Sequence, residues 1–281
     1  MTSQHVAVGV DGSLTAVRAL DWAAQEAVHR GVGLRIVHAV ADLDEAGPVL
    51  ASAVSRIDAH HPELPVTAEP VEGGAVEVLL RESKDAVLTV VGNRGLGGIT
   101  GTLFGSVSLR LAAHAHGPVL VVRGDHRCDG DREVLLGLGG DADADAAAYA
   151  FQEAARRGVR LRVLHSWSHR HVGVELPSVI PATSPGQREL ARRDAAEEAV
   201  PRFSMADLRE RHPGVGVESH TVRMAPGHAL LEASGEAGIV VIGVHRHADR
   251  HVTRPGSVVH TLLHRSHCPV AIVPTGTAAV D

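Results

Sequence analysis

Lysine is almost missing from this chain. Lys84 is the single one, so arginine carries nearly all the positive charge, and 27 basic residues stand against 33 acidic ones for a net charge of -6. No basic tract is longer than two or three residues, which argues against nucleic acid as a partner. Aromatics are scarce too: Trp22, Trp167, Tyr149, Phe104, Phe151 and Phe203 are all there are, too few for a platform on which bases stack. Two cysteines, Cys128 and Cys268, cannot build a disulfide framework, and their spacing fits no metal motif, so a reduced, structural or incidental role is expected of both. No apolar run reaches membrane-spanning length, and the opening MTSQHVAVGVDGS enters a strand without a charged and apolar signal region. A cytoplasmic protein with no membrane partner is the expectation.

What is present is organised around Leu88 to Val107, LTVVGNRGLGGITGTLFGSV. Val87, Leu88, Val90 and Val91 make a continuous apolar run, as in a strand buried on both faces of a parallel sheet. Gly92, Gly95, Gly97, Gly98, Gly101 and Gly105 then leave a backbone with few side chains, whose amides a ligand can approach closely. Ser106 follows just before the helical pattern Val107, Leu109, Arg110, Leu111, where unpaired amides and the helix dipole favour an anion. The stretch reads as a phosphate cradle.

The remaining chain alternates strands with helices. Strands are predicted at Val6 to Val10, Leu34 to Val40, Val66 to Val71, Val87 to Val91 and Pro118 to Val122, with helices at Thr15 to Arg30, Val49 to His61, Ala75 to Ser83 and after Ser106. This alternation predicts a doubly wound parallel α/β sheet. The pattern then repeats. QEAVHRG from Gln25 matches QEAARRG from Gln152, and LRIVHAV from Leu34 matches LRVLHSW from Leu161, both at an offset of 127. Gly92, Gly105-Ser106 and Pro118 match Gly243, Gly256-Ser257 and Pro269 at an offset of 151. A tandem duplication is implied, 1–124 and 133–281, with about 24 extra residues in the second copy within 168–210. That insertion reads either as a lid or as an interface helix.

The spacing Gly92, two residues, Gly95, nine residues, Gly105-Ser106, with Asp11 ending the first strand, resembles the ATP-binding branch of the universal stress protein family in its tandem architecture. The resemblance implies two Rossmann-like domains, each a five-stranded parallel sheet of order 3-2-1-4-5 flanked by helices. Ligands in such sheets sit at the switch point between the first and fourth strands. By resemblance, Asp11 would hold the ribose or a metal-bridged phosphate, the backbone at Val40 would meet the adenine edge, and Gly92 would lie beside the ribose. The amides of Gly95, Gly105, Ser106 and Val107 would hold phosphates. Arg94 and Asn93 either reach phosphate oxygens or stand exposed, and Asp11 alternatively only turns the chain with Gly12 and Ser13. The cofactor implied is ATP, with Mg2+ an option. The last strands, Val119 to Val122 and Val270 to Val273, are expected to pair as a pseudo-dimer within the chain, with a homodimer as a further step.

The second copy departs from this pattern. Asp11 corresponds to Gly139 and Gly95 to Arg246, although Gly243, Gly256, Ser257 and Val258 are kept as its candidate binding residues. Its loop has gained His245, His247, His251, Arg250 and Arg254, so the site is either degenerate or takes phosphate through basic side chains, with Asp141 partly replacing Asp11. The 20 histidines are expected to be solvated or phosphate-facing rather than metal ligands, and His38 and His165 to be satisfied core groups. Asp141, Asp143 and Asp145 lack the glycine and glutamate of a calcium loop and are expected to start a helix. No nucleophile elbow, Walker pattern or loop lysine is present. The expected function is nucleotide sensing or signalling in stress without fast chemistry, at most slow ATP hydrolysis. A slow nucleotide-dependent enzyme and a scaffold that binds no nucleotide are the alternatives.

Overall fold

The first strand, β1 (His5–Gly9), is buried on both faces, with Val6, Ala7 and Val8 at 0% exposure. Its surroundings come from a computed structural model, which describes residues 4–93, 106–123, 132–167, 192, 196, 199–201, 204–245 and 256–276. Helix α1 (Leu14–Arg30) starts where the Ser13 hydroxyl accepts the Ala16 amide, and it stops at Gly31, whose φ of 63° a side chain would resist. Its inner face is a stripe of Ala16, Ala19, Leu20, Ala23, Ala24 and Ala27, small residues that let the helix lie close on the sheet. There follow β2 (Gly33–Val40), α2 (Gly47–His60), β3 (Val66–Glu72), α3 (Ala75–Glu82), β4 (Leu88–Gly92), α4 (Ser106–His114) and β5 (Val119–Val122). Helix α2 begins two residues earlier than its periodicity predicts, because Pro48 sits in the first turn, where its missing N–H leaves no bond unmade.

The second half repeats this with β6 (Val134–Leu138), α5 (Ala144–Arg157), β7 (Leu161–Ser166), α6 (Ala206–Arg211), β8 (Val217–Val222), α7 (Pro226–Ala233), β9 (Ile239–His245), α8 (Ser257–Arg265) and β10 (Val270–Thr275). Of the insertion at 168–210, α6 and the residues just before it reach the core through buried Met205 and Leu208, on the face that α5 covers. Residues 168–191 lie outside the described residues, and with them the choice between a lid and an interface helix.

The strands form one ten-stranded sheet of order β3-β2-β1-β4-β5-β10-β9-β6-β7-β8. Pairing is parallel except at the centre, where β10 runs antiparallel to β5 with Val270 opposite Val121 and Ile272 opposite Val119. That junction covers the apolar edge each half would otherwise expose. The helices cover both faces. One core gathers α1, α2, α5 and α6, and the other gathers α3, α4, α7 and α8.

A second contact joins the halves. Near the carboxyl ends of α1 and α5, Glu26, Arg30, Glu153 and Arg157 form a quartet with no side chain more than 6% exposed. Arg30 donates to Glu153 at 2.6 Å, Arg157 donates to Glu153 at 2.8 Å, and each arginine also pairs with Glu26. The Arg157 guanidinium lies 5.7 Å from the Trp22 ring and that of Arg30 lies 6.0 Å from the Tyr149 ring. Glu26 and Glu153, Arg30 and Arg157, and Trp22 and Tyr149 are equivalents at the offset of 127, so the quartet has an approximate two-fold axis. Burial pushes the Glu26 carboxyl up, and Glu153 beside it pushes the same way against both arginines. Burial also works to raise Glu153, but Arg30 and Arg157 outweigh it and hold that carboxyl below the ordinary range. The two carboxyl groups and two guanidiniums satisfy one another, as buried ionisable groups must, and Arg156, part-exposed, adds a longer contact to Glu153 at 3.4 Å.

Candidate functional site

In each half the chain winds to one side of its first strand and then returns to the other, so two crevices open at the carboxyl ends of the strands, between β1 and β4 and between β6 and β9. In the first, Asp11 stands two residues beyond β1. Its Oδ1 accepts the Ser13 amide at 3.0 Å, so the turn foreseen for it is present, and the same turn places the carboxylate at the switch point. Val10, just before it, is held by two bonds: its amide donates to Val37, and its carbonyl meets Nδ1 of His38 at 2.7 Å. At the end of β2, the Val40 carbonyl accepts the Gly73 amide at 3.0 Å.

Gly92 ends β4, and its want of a side chain has a local cause. A Cβ there would sit 3.0 Å from the Thr15 carbonyl oxygen, so glycine lets the first turn of α1 close onto the strand. Asn93, next in the chain, is buried and donates its amide to Val122 at 2.9 Å. Arg94, Gly95 and Gly105 lie outside the described residues. The chain re-enters at Ser106, the first residue of α4, followed by Val107, which packs partly buried on the second core.

The second crevice keeps the frame and fills it differently. Gly139 takes Asp11's place, and its amide donates to Oδ2 of Asp143 at 2.6 Å. Oδ1 of the same carboxylate lies 3.3 Å from Nε2 of His245, whose Nδ1 is 2.7 Å from Oγ1 of Thr275. His245 and Thr275 are cross-strand neighbours at the ends of β9 and β10. The result is a polar strap from β6 across β9 to β10, with Asp143 6% and Thr275 0% exposed. A Cβ on Gly243 would collide with Oδ1 of Asp143 and approach Cγ2 of Thr275 to 3.0 Å. Gly256 caps α8 from an exposed position, Ser257 begins it, and Val258 packs partly buried on the second core.

The aspartate run therefore divides. Asp141, offered as a partial replacement for Asp11, instead accepts the Ser204 hydroxyl, and the carboxylate that enters the crevice is that of Asp143. The physical reason is a one-turn 3-10 helix over Asp141–Asp143, which turns Asp143 back toward Gly139. Asp143 does stand at the start of α5, but it makes no side-chain bond to that helix.

Other predicted groups brace the crevices from behind or lie away from them. His165 is buried with Nδ1 2.8 Å from the Leu138 carbonyl, the same contact that His38 makes in the first half. His260 and His264 stack at 3.9 Å on α8, and burial, His260 and Arg123 lower the His264 pKa. Among the described residues no group of three or more histidine, cysteine or acidic side chains is arranged to hold a metal. Burial pushes the Cys268 thiol up to about 12, so it stays protonated. A polar cavity of about 460 Å³, lined by Glu133, Arg160 and Glu236 among others, lies at the amino ends of the strands, away from both crevices. No helix among the described residues is long and apolar enough to cross a membrane.

The model of the universal stress protein family matches residues 2–123 and again 132–274. The chain belongs to the universal stress protein family. A universal stress protein of Mycolicibacterium smegmatis is 33% identical over 296 residues, covering 97% of each chain. Universal stress protein Rv2623 of Mycobacterium tuberculosis is 33% identical over 300 residues, covering 96% of each. Among solved structures, a universal stress protein from Archaeoglobus fulgidus superposes with a TM-score of 0.62 at 18% identity, over 98% of this chain and 100% of that one. The protein PA1789 from Pseudomonas aeruginosa does so with a TM-score of 0.66 at 12% identity, over 97% and 93%. At such identities these two speak for the shared fold.

The family resemblance led to the first crevice. It did not lead to Asp143, Thr275 or the buried quartet. For the quartet a signal exists, since QEAVHRG and QEAARRG each carry a glutamate and an arginine four residues apart at the same helix end.

Proposed function

We propose that the chain binds ATP, or another adenine nucleotide, in the crevice between β1 and β4, and reports nucleotide state without fast chemistry. The observation that carries this is the spacing Gly92, Gly95, Gly105-Ser106 beginning at the carboxyl end of β4 and ending at the start of α4, beside Asp11 at the switch point. Residues 1–124 form the nucleotide unit on this reading, and 133–281 its partner. The crevice suits the ligand chemically. Asp11 is part-exposed and can accept ribose hydroxyls or face a phosphate through Mg2+, while the first amides of α4 at Ser106 and Val107 lie at the positive end of a helix dipole. The amides of Gly95 and Gly105 add donors that no Cβ shields, Arg94 adds charge, and the Val40 backbone meets the adenine edge.

A nucleotide so held is not driven to hydrolyse. Neither phosphate-side loop carries a lysine or a Walker pattern, the groups that orient and neutralise a transferring phosphoryl in phosphate-loop enzymes. Binding instead changes the protein's stability. Ligand at a hundred times its dissociation constant adds about 2.7 kcal/mol to the folded state. Calorimetric titration with ATP tests the reading, comparing the wild type with Gly95→Asp. Binding by the wild type and its loss in the variant is expected; no binding by the wild type would sink the ATP reading in favour of an interaction scaffold. Steady release of ADP would favour a slow enzyme.

A further inference from the structure

The second crevice is built to hold its own side chains. We propose that the strap Gly139–Asp143–His245–Thr275 closes this crevice to nucleotides, and that Asp143 thereby fixes the binding stoichiometry at one nucleotide per chain. The inference rests on the reading that the first crevice takes ATP.

Three observations carry it. First, the backbone donor at the switch point is spent. The Gly139 amide, at the position of Asp11, donates to Asp143 at 2.6 Å, so a ligand oxygen would have to break a short bond to a carboxylate. Second, the closure is tied to three strands. With Nε2 facing Asp143 and Nδ1 on Thr275, both ring nitrogens of His245 have a partner, and the imidazole, about 45% exposed, stands over the ends of β9 and β10. A phosphate entering there would meet a buried carboxylate of its own sign. Third, the retained glycine has found another use. Gly243 is the counterpart of Gly92, but the atom its missing Cβ makes room for is Oδ1 of Asp143, whereas at Gly92 it is the carbonyl oxygen of Thr15. The glycine that makes the second copy resemble a nucleotide site is there to admit the group that fills it.

The test is equilibrium dialysis of the full chain against ATP and Mg2+, with His245 followed by its imidazole nitrogen resonances. One equivalent is expected for the wild type, none for Gly105→Glu, and two for Asp143→Thr, which installs the residue type of Thr15. Asp143→Ala, which removes the carboxylate altogether, serves as a second opening variant should Asp143→Thr not fold. In the wild type the His245 resonances should report one fixed tautomer and stay unmoved at saturating ATP. Two equivalents in the wild type, a second equivalent in neither opening variant, or a His245 signature averaged between tautomers would overturn the strap. Zero equivalents in the wild type would overturn the ATP reading instead, and the fixed or averaged His245 tautomer would then decide the strap alone.

Discussion

At the end of β4 the neutral backbone of Thr15 lies against Gly92, and at the end of β9 the carboxylate of Asp143 lies against Gly243. The two crevices share strand order, a glycine at the same place and a helix starting on serine, yet one has its acidic group beyond the first strand, at Asp11, and the other has it folded inside. The two halves diverge where the strands end and agree where they meet. The QEA-x-x-RG helix ends are retained in both copies because each supplies half of one buried quartet, which neither could complete alone. Divergence is tolerated at the crevices, since a closed crevice needs only satisfied polar groups.

The largest effect is expected at the quartet. Arg157→Ala leaves Glu26 and Glu153 buried with Arg30 as the one buried cation, Arg156 reaching Glu153 only at 3.4 Å from a part-exposed position, and removing one partner of a buried pair typically costs about 3–5 kcal/mol. Arg30→Ala should cost a similar amount if the two-fold relation holds, and urea unfolding of both variants checks it. A loss for one arginine far above that for the other would break the symmetry. At the two glycines, Gly243→Ala must expel Asp143, while Gly92→Ala presses on the Thr15 backbone; overpacking of this kind costs about 1–3 kcal/mol. Only Gly243→Ala should free the Gly139 amide, read as faster hydrogen exchange at that position.

The quartet also has a signed dependence on pH. Glu153 is held below the ordinary carboxylate value of 4.5, so its contribution to stability is present above that value and is lost as pH falls through it toward the folded pKa. Glu26 is held above the same value, so its contribution is present below 4.5 and is lost as pH rises through its folded pKa. Glu153→Gln should therefore flatten the acid limb of a stability–pH profile, and Glu26→Gln the limb toward neutrality. The same limb flattened by both would contradict the assignment. The smallest effect is expected at Arg56, whose pair with Asp21 at 2.6 Å is about 40% exposed and has Ala148 at the matching place in the second half. Arg56→Ala should cost less than about 1 kcal/mol.

Much of the frame was legible in the chain before its structure. Apolar runs alternating with helical periodicity give the strands and helices in order, and the offsets of 127 and 151 give the repeat. The quartet was harder to see, because a glutamate and an arginine four residues apart read as one exposed helical pair. Only the antiparallel junction of β5 with β10 brings α1 against α5 and buries both pairs together. In the aspartate run, alternate spacing does not say which carboxylate turns inward; the 3-10 turn over Asp141–Asp143 decides it, and that turn depends on the Gly139-Gly140 break before it. A retained glycine does not say by itself what it makes room for: Gly243 reads as part of a ligand loop, and a Cβ there would meet Asp143 and Thr275.

Native mass spectrometry of the intact chain with ATP and Mg2+ tests the central claim most directly. One adduct per chain is predicted, lost in Gly105→Glu and untouched in Gly256→Glu. A second adduct on the wild type, or an adduct that survives Gly105→Glu and disappears with Gly256→Glu, would contradict it.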